Sequence, residues 1–232
     1  MTTDEHVFPH VRHVADRAVL VEFGAVTDIE TQRQVSSLDT RLAQSPFDGL
    51  TEAIPGFASL LVCFDPTITD HTSAEKAIRS LLFLPVLTPP KGHLRLIDVC
   101  YDTDAAPDLK EVSAQTGLSE EAVINQHLAA TYHVVMYGFA PGYAYLDGGP
   151  AALHLPRKSI AKRGVAAGSV IIAGAQCLIT TLTMPTGWWI IGQSPIQILT
   201  NDPVRPFLFD VGDVIQFRRV KNGDLTSPKR AP

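Results

Sequence analysis

Hydrophobic and polar positions along residues 1–90 predict a small unit of alternating strands and helices. Residues 19–23 (VLVEF) form a short β-branched run, and apolar positions recur at helical spacing over residues 29–42. Residues 50–56 and 58–65 have the apolar, β-branched character of two strands, and residues 73–84 that of a helix with Ser73 as its N-cap. The predicted order is β-α-β-β-α.

This pattern stops at residues 85–92, which contain three prolines and a glycine. Proline cannot continue a helix and glycine resists ordering, so the stretch is typical of a linker. We therefore predict two domains, a small α+β domain over residues 1–90 and a second domain over residues 91–232.

The second domain is predicted to open with a strand and two helices and to continue as a β structure. The strand covers residues 93–101, and the helices, over residues 107–117 and 119–132, meet where Gly117 can form a left-handed C-cap and Ser119 an N-cap. The short apolar or alternating runs that follow are typical of a compact antiparallel barrel or sandwich. These runs are residues 131–139, 168–174, 177–183, 188–194, 195–199 and 213–220.

Composition excludes several classes of partner. The 232 residues are 45% hydrophobic and carry a formal charge of −5 without a basic stripe, so neither nucleic acid nor an anionic membrane is an expected partner. Cys63, Cys100 and Cys177 are odd in number and widely separated, which favours buried thiols in a reducing compartment. No uncharged apolar run approaches ~18 residues, and the N-terminus lacks a signal-peptide core. We expect a cytoplasmic protein.

General catalytic and metal motifs are absent from the sequence. It contains no glycine-rich dinucleotide or phosphate loop, no Gly-x-Ser-x-Gly elbow and no Cys-x-x-Cys pair. His6, His10 and His13 lie close together but have no cysteine or acidic residue at ligand spacing. We interpret them as surface histidines and predict no metal site.

The stretch MYGFAPGYAYLDG concentrates turn residues and aromatic side chains directly after an apolar run. Pro141 and Gly142 let the backbone turn sharply, and Phe139 and Tyr145 offer flat apolar faces. Two interpretations stay open: the stretch forms the wall of a small-molecule pocket, or its aromatic side chains cap the core of the barrel.

A longer order of motifs resembles the family of the 5-oxoprolinase B subunit, also known as kinase inhibitor KipI or allophanate hydrolase subunit 1. The specific motifs are GFAPGYAYL, then AGSVIIAGAQ, then GWWIIGQSP, and the weaker motifs LVEFG and IPGFASLLVCFDP precede them. The resemblance covers nearly the whole chain.

This resemblance implies a fold and a function. The implied fold is an α+β N-terminal domain followed by a cyclophilin-like antiparallel β-barrel domain. This likeness of fold does not imply prolyl isomerase activity. The implied function is that of one subunit, inactive alone, of an ATP-dependent enzyme that opens 5-oxoproline to glutamate. Its implied partners are a carboxylase-type C subunit, similar to allophanate hydrolase subunit 2, and a third 5-oxoprolinase subunit. Because this chain has no phosphate loop, we expect ATP to be used by the assembled complex and bound elsewhere.

The resemblance also implies a set of site residues. Arg157 is expected to bind a carboxylate with two hydrogen bonds, Lys162 to add a second positive charge, and Gln176 to donate to and accept from a lactam. They join Phe139, Pro141, Gly142 and Tyr145 as substrate-binding residues. His127 is the expected proton-transfer group. The alternatives are solvated surface residues for the first three and a half-buried helix histidine for His127, while Trp188 is expected to pack.

Departures from the family pattern leave the substrate open. Relatives commonly have Gln-Thr-Gly-Ile-Tyr-Pro after the Gly-x-Gln turn, whereas this chain has Cys177 and then LITT, without the tyrosine. Gly164 stands where a basic residue is common. A closely related small-amide hydrolase or carboxylase complex fits these departures. So does the alternative function, a non-catalytic regulatory module that binds a sensor histidine kinase or another protein partner.

Overall fold

The computed structural model describes residues 8–25, 28–87, 92–221 and 223. Contacts divide the chain into two compact units, Met1–Pro90 and Lys91–Pro232. Within the described ranges, no helix combines the length and the apolar character needed to cross a bilayer. His6 lies outside the described residues.

The first unit is a four-stranded antiparallel sheet with two helices. The elements are β1 (His10–Val14), β2 (Ala18–Glu22), α1 (Ile29–Gln44), β3 (Leu50–Pro55), β4 (Ser59–Phe64) and α2 (His71–Leu82). The order of strands in the sheet is β1-β2-β4-β3. Apolar side chains of both helices and of the two central strands form the core of this unit.

Two details of the first unit correct the predicted pattern. The edge strand β1 was not expected, so the order is β-β-α-β-β-α; its sequence, HVRHV, is largely polar and partly exposed, which hides it from an apolar pattern. Helix α2 begins at His71 because Asp70 is its N-cap and accepts a hydrogen bond of 2.7 Å from the backbone N–H of Ser73. Ser73 therefore lies inside the helix.

The second unit contains a closed seven-stranded barrel and a separate two-stranded sheet. Its elements are β5 (Leu94–Cys100), α3 (Leu109–Thr116), α4 (Glu120–Ala129), β6 (Tyr132–Tyr137), β7 (Ala144–Asp147), β8 (Lys162–Val165), β9 (Ser169–Ala173), β10 (Gln176–Ile179), β11 (Met184–Thr186), β12 (Trp189–Gln193) and β13 (Val214–Val220). The order of strands around the barrel is β10-β7-β6-β13-β5-β12-β9, and β8 and β11 form the separate sheet. A 3₁₀ turn covers Ala151–Leu153.

The barrel is mixed, so the prediction of an antiparallel barrel is wrong at one position. The first and last barrel strands, β5 and β13, pair in parallel from Val214 opposite Leu94 to Val220 opposite Cys100. The other neighbouring strands are antiparallel. The predicted left-handed cap at Gly117 and the N-cap at Ser119 are confirmed. Residues 195–199, predicted as a strand, contribute only a bridge between Leu199 and Phe207.

Alternation along the barrel strands separates two apolar layers. In β9, Val170 and Ile172 join the main core of the barrel, whereas Ile171 and Ala173 point to the other side of the sheet. There they pack with an outer apolar layer. Its buried members are Tyr143, Val165, Ile171, Ala173, Leu178, Trp188 and Ile190. The candidate site described below lies against this outer layer.

Candidate functional site

The aromatic loop is a tight connection between β6 and β7. The backbone N–H of Gly138 donates to the carbonyl of Tyr143 at 3.2 Å, and the N–H of Tyr143 donates to the carbonyl of Ala140 at 3.1 Å. Phe139, at the tip, has a left-handed φ of 70° and its residue surface is 72% exposed. The side chain of Phe139 therefore faces solvent, which does not match the interpretation that it caps the barrel core.

The second half of the loop is fixed to its surroundings. Thr181 Oγ1 donates a hydrogen bond of 2.6 Å to the carbonyl of Pro141. Gly142 is buried with φ 73°, and a Cβ there would lie 2.8 Å from Leu199 Cδ2. The backbone conformation of Gly142 thus favours glycine, and a side chain there would also force the Leu199 side chain to shift.

An aromatic and cationic cluster follows the loop. Tyr145, in β7, is half-buried, and its ring meets that of Trp188 edge-on with 6.0 Å between the ring centroids. Arg157 Cζ lies 5.6 Å from the Trp188 ring centroid, in a cation–π contact. The structure therefore brings together Tyr145, Trp188 and the exposed guanidinium of Arg157.

The segment that carries Arg157 has no helix or strand, but its backbone is anchored on both sides. The carbonyl of Leu155 accepts from the N–H of Gly174 at 2.8 Å, and the N–H of Lys158 donates to the carbonyl of Gly187 at 2.7 Å. Trp189 Nε1 donates to the carbonyl of Pro156 at 2.8 Å. Arg157 is consequently held between the β9–β10 turn and the connection that leads into β12.

Gln176 and Lys162 are the first residues of β10 and β8. Gln176 pairs with Ala173 in β9 and Asp147 in β7, and strand alternation places its side chain on the face of the outer apolar layer, opposite to the inward-facing Cys177. Lys162 is exposed and lies opposite Thr186 in β11. The amide of Gln176 and the aromatic side chains of the outer apolar layer thus share one face of the barrel sheet.

His127 is separated from this face, because it is fully buried on α4. The hydroxyl of Tyr101 lies 2.7 Å from its Nδ1, Cys177 Sγ lies 3.5 Å from its Nε2, and Phe217 stacks on the ring at 4.4 Å. Burial lowers the pKa of His127 to about 3, so the imidazole is neutral near pH 7. The proton-transfer role predicted for His127 has no solvent-facing atom to act through, and a core histidine matches this geometry.

Sequence reasoning missed two charged residues beside Arg157. Lys158 Nζ forms an ion pair with Asp108 Oδ2 at 2.5 Å, and it lies 5.4 Å from the centroid of the Trp189 ring. Asp108 directly precedes α3, and an acidic residue at this position is ordinarily interpreted as the N-cap of the helix. The adjacency of two basic residues, Arg157 and Lys158, was the only sequence signal for this pair.

A possible cation site lies elsewhere in the second unit. His93, Asp210 and Asp213 bring ligand atoms within 4.8 Å of one another. Asp213 Oδ2, however, accepts from Arg95 Nε at 3.0 Å and from the backbone N–H of Asp210 at 3.1 Å. The buried carboxylate is already compensated by Arg95, so this group does not fit a metal centre.

Comparison with known proteins places the chain among related sequences. Residues 9–209 match the family model described as carboxyltransferase domain, subdomain C and D. The 5-oxoprolinase B subunit of Bacillus subtilis (strain 168) is 30% identical over 231 residues, which cover 94% of this chain and 96% of that protein. The protein of the same name from Escherichia coli O157:H7 is 33% identical over 213 residues, which cover 90% and 95%.

Solved structures agree with this placement. The crystal structure of TTHA0988 in space group P212121 superposes with a TM-score of 0.79 at 30% identity, covering 93% of this chain but 41% of that one, so the present chain spans about two fifths of TTHA0988. The K. lactis urea amidolyase shares the fold, with a TM-score of 0.77 at 18% identity over 93% of this chain and 15% of its own. The chain therefore belongs to the carboxyltransferase subdomain C and D family and, within it, to the family of the 5-oxoprolinase B subunit.

Proposed function

We propose that this chain is one subunit of an ATP-dependent 5-oxoprolinase and that it contributes the surface on which 5-oxoproline is held while its ring is opened to glutamate. The observation that carries the proposal is the near full-length similarity, at 30–33% identity, to 5-oxoprolinase B subunits of three bacteria. The proposal includes the fold: the barrel is cyclophilin-like but has no prolyl isomerase activity.

The chemistry of the cluster supports this substrate. 5-Oxoproline combines a flat five-membered lactam with a carboxylate. The guanidinium of Arg157 can hold the carboxylate by two parallel hydrogen bonds, and Lys162 adds positive charge at the rim. Gln176 can donate to the lactam oxygen and accept from the lactam N–H. Tyr145 and the aromatic loop provide apolar surface for the ring.

In the proposed mechanism, the residues of this chain bind and orient the substrate, and the partner subunits supply the remaining catalytic groups. The sequence has no phosphate loop, and His127 is buried away from the cluster. We therefore assign ATP chemistry and attack on the lactam to the assembled complex. Its other members in this proposal are a carboxylase-type C subunit and a third 5-oxoprolinase subunit, and the isolated chain is inactive.

Arg157→Lys in the assembled enzyme tests the proposed binding surface. Lysine keeps the charge but cannot form the bidentate contact with a carboxylate. Hydrogen bonds to charged groups contribute about 1.5–3 kcal/mol. At about 1.4 kcal/mol per decade, the KM for 5-oxoproline should rise roughly ten-fold or more. Melting temperature should hardly change, because the side chain of Arg157 is exposed.

The matched control is Arg163→Lys, since Arg163 is also exposed and lies in β8 of the same unit. It should leave KM unchanged. If Arg157→Lys and Arg163→Lys both turn over substrate like the parent, the carboxylate is held elsewhere, and the alternative of a non-catalytic regulatory module gains support.

A further inference from the structure

Asp108 occupies a helix-capping position without acting as a cap. It is the N-cap residue of α3, yet its side chain makes no capping hydrogen bond. Its Oδ2 instead accepts from the backbone N–H of Ile190 at 2.7 Å and from Lys158 Nζ, while its own N–H donates to the carbonyl of Ile190 at 3.1 Å. An aspartate at this position normally accepts from the first turn of its helix. Here the carboxylate joins three separate segments of chain.

The ion pair between Lys158 and Asp108 is unlike the surface pairs of the same unit. Their side chains are 14% and 16% exposed, whereas those of Arg219 and Glu121 are 43% and 60% exposed. Exposed pairs contribute little to stability, and a largely buried pair carries a desolvation cost that only good geometry offsets. Lys158 is further restricted by its position over the Trp189 ring. The pair is therefore no evidence of a large gain in stability, but its contacts with Ile190 and Trp189 define the positions of both side chains.

The geometry fixed in this way is that of Arg157. Hydrogen bonds hold the backbone at Leu155, Pro156 and Lys158, and the Lys158–Asp108 pair anchors the next side chain in a segment that has neither helix nor strand. Between these anchors, the exposed side chain of Arg157 lies with its guanidinium over the Trp188 ring. We propose that Lys158 and Asp108 are positioning residues that hold Arg157 ready for an anionic ligand. Preorganisation of this kind lowers the entropy lost on binding.

The identity of the ligand as the 5-oxoproline carboxylate rests on the proposed function, but the positioning itself does not. Without the ion pair, the segment around residue 158 loosens and Arg157 leaves its place over Trp188. Affinity for the carboxylate should then fall, whereas affinity for the uncharged carboxamide of the same ring should not. This difference distinguishes positioning of Arg157 from a general loss of structure.

Lys158→Met tests the proposal, with Arg95→Met as the matched control. Arg95 is 15% exposed and is paired with the buried Asp213, so both variants remove a similarly buried cation. In the assembled enzyme, Lys158→Met should raise KM for 5-oxoproline about ten-fold and leave the inhibition constant of 5-oxoproline carboxamide within about two-fold, a difference of about 1 kcal/mol. Arg95→Met should change neither constant, and Lys158→Arg should restore much of the lost affinity.

Equal losses of affinity for acid and carboxamide in Lys158→Met would overturn the proposal. A second measurement uses the isolated chain and needs no substrate. NMR relaxation of the ¹⁵N-labelled Nε–H group of Arg157 reports how ordered this side chain is. The signal is assigned because it disappears in Arg157→Lys. Order should fall in Lys158→Met and stay unchanged in Arg95→Met. Unchanged order in Lys158→Met would contradict the positioning role. Reduced order with unchanged KM would support that role and contradict the assignment of Arg157 to the substrate.

Discussion

The buried imidazole of His127 should make the barrel unit sensitive to mild acid. Its neighbours Tyr101, Tyr132 and Cys177 all have a pKa raised mainly by burial, so they stay neutral between about pH 5 and pH 7 and provide no compensating charge. Phe217 covers the ring. Protonation of His127 in the folded state is therefore strongly disfavoured.

The size of the effect follows from linkage between protonation and folding. The ordinary pKa of a histidine is 6.5, and that of His127 in the folded protein is about 3. Since the unfolded chain binds the proton first, the free energy of unfolding falls as the pH drops below about 6.5 and continues to fall until about pH 3. Between about pH 7 and pH 5, at about 1.36 kcal/mol per pKa unit, the loss due to His127 is about 2 kcal/mol.

The assay is urea unfolding followed by tryptophan fluorescence, which reports on the second unit because both tryptophans, Trp188 and Trp189, lie there. Wild type should lose about 2 kcal/mol more than His127→Gln between about pH 7 and pH 5, because glutamine does not titrate and the shared carboxylates cancel in the comparison. Tyr101→Phe, which keeps the histidine, should retain the wild-type pH dependence. The same pH dependence in His127→Gln and in wild type would refute the reasoning.

Two further predictions concern the loop and the thiols. Gly142→Ala should destabilise the second unit by about 3 kcal/mol in the same urea assay, because it combines left-handed backbone strain with a close contact to a leucine. Gly164→Ala, at a position with φ 66° and open space, should cost only about 1 kcal/mol. Equal losses of stability would show that space at Gly142 is not limiting. In the native protein Cys63 should react with a thiol reagent, whereas the buried Cys100 and Cys177, whose pKa is raised mainly by burial, should not. Rapid modification of Cys177 without unfolding would contradict its burial against His127.

The sequence predicted the elements that carry a strong apolar pattern. Strands such as β4, β5, β9 and β13 and the helices α1 to α4 were found near their predicted positions. The missed strands β8 and β11, KRGV and MPT, are short, polar or proline-containing, so they have no period-2 apolar signal. Strand β7 was hidden inside the aromatic loop. The parallel pairing of β5 and β13 joins residues far apart in the chain, which local patterns do not encode.

The candidate site was predicted as a list of residues but not as a geometry. The motif order indicated Arg157, yet its contact with Trp188 depends on the turn that leads into β12. Asp108 and Lys158 are separated by 50 residues and belong to segments that meet only in the folded unit. The burial of His127 was more accessible to sequence reasoning, because Val123, four residues earlier on the same helical face, is also buried.

Glutamate formation from 5-oxoproline and ATP, measured for this chain alone, for the partner subunits alone and for the full mixture, tests the proposed subunit role most directly. The partners to supply are the carboxylase-type C subunit and the third 5-oxoprolinase subunit. We predict turnover only in the full mixture, because the sequence of this chain has no phosphate loop and the aromatic and cationic cluster around Arg157 is suited to binding. Robust turnover by this chain alone, or full turnover by the partners without it, would contradict the account.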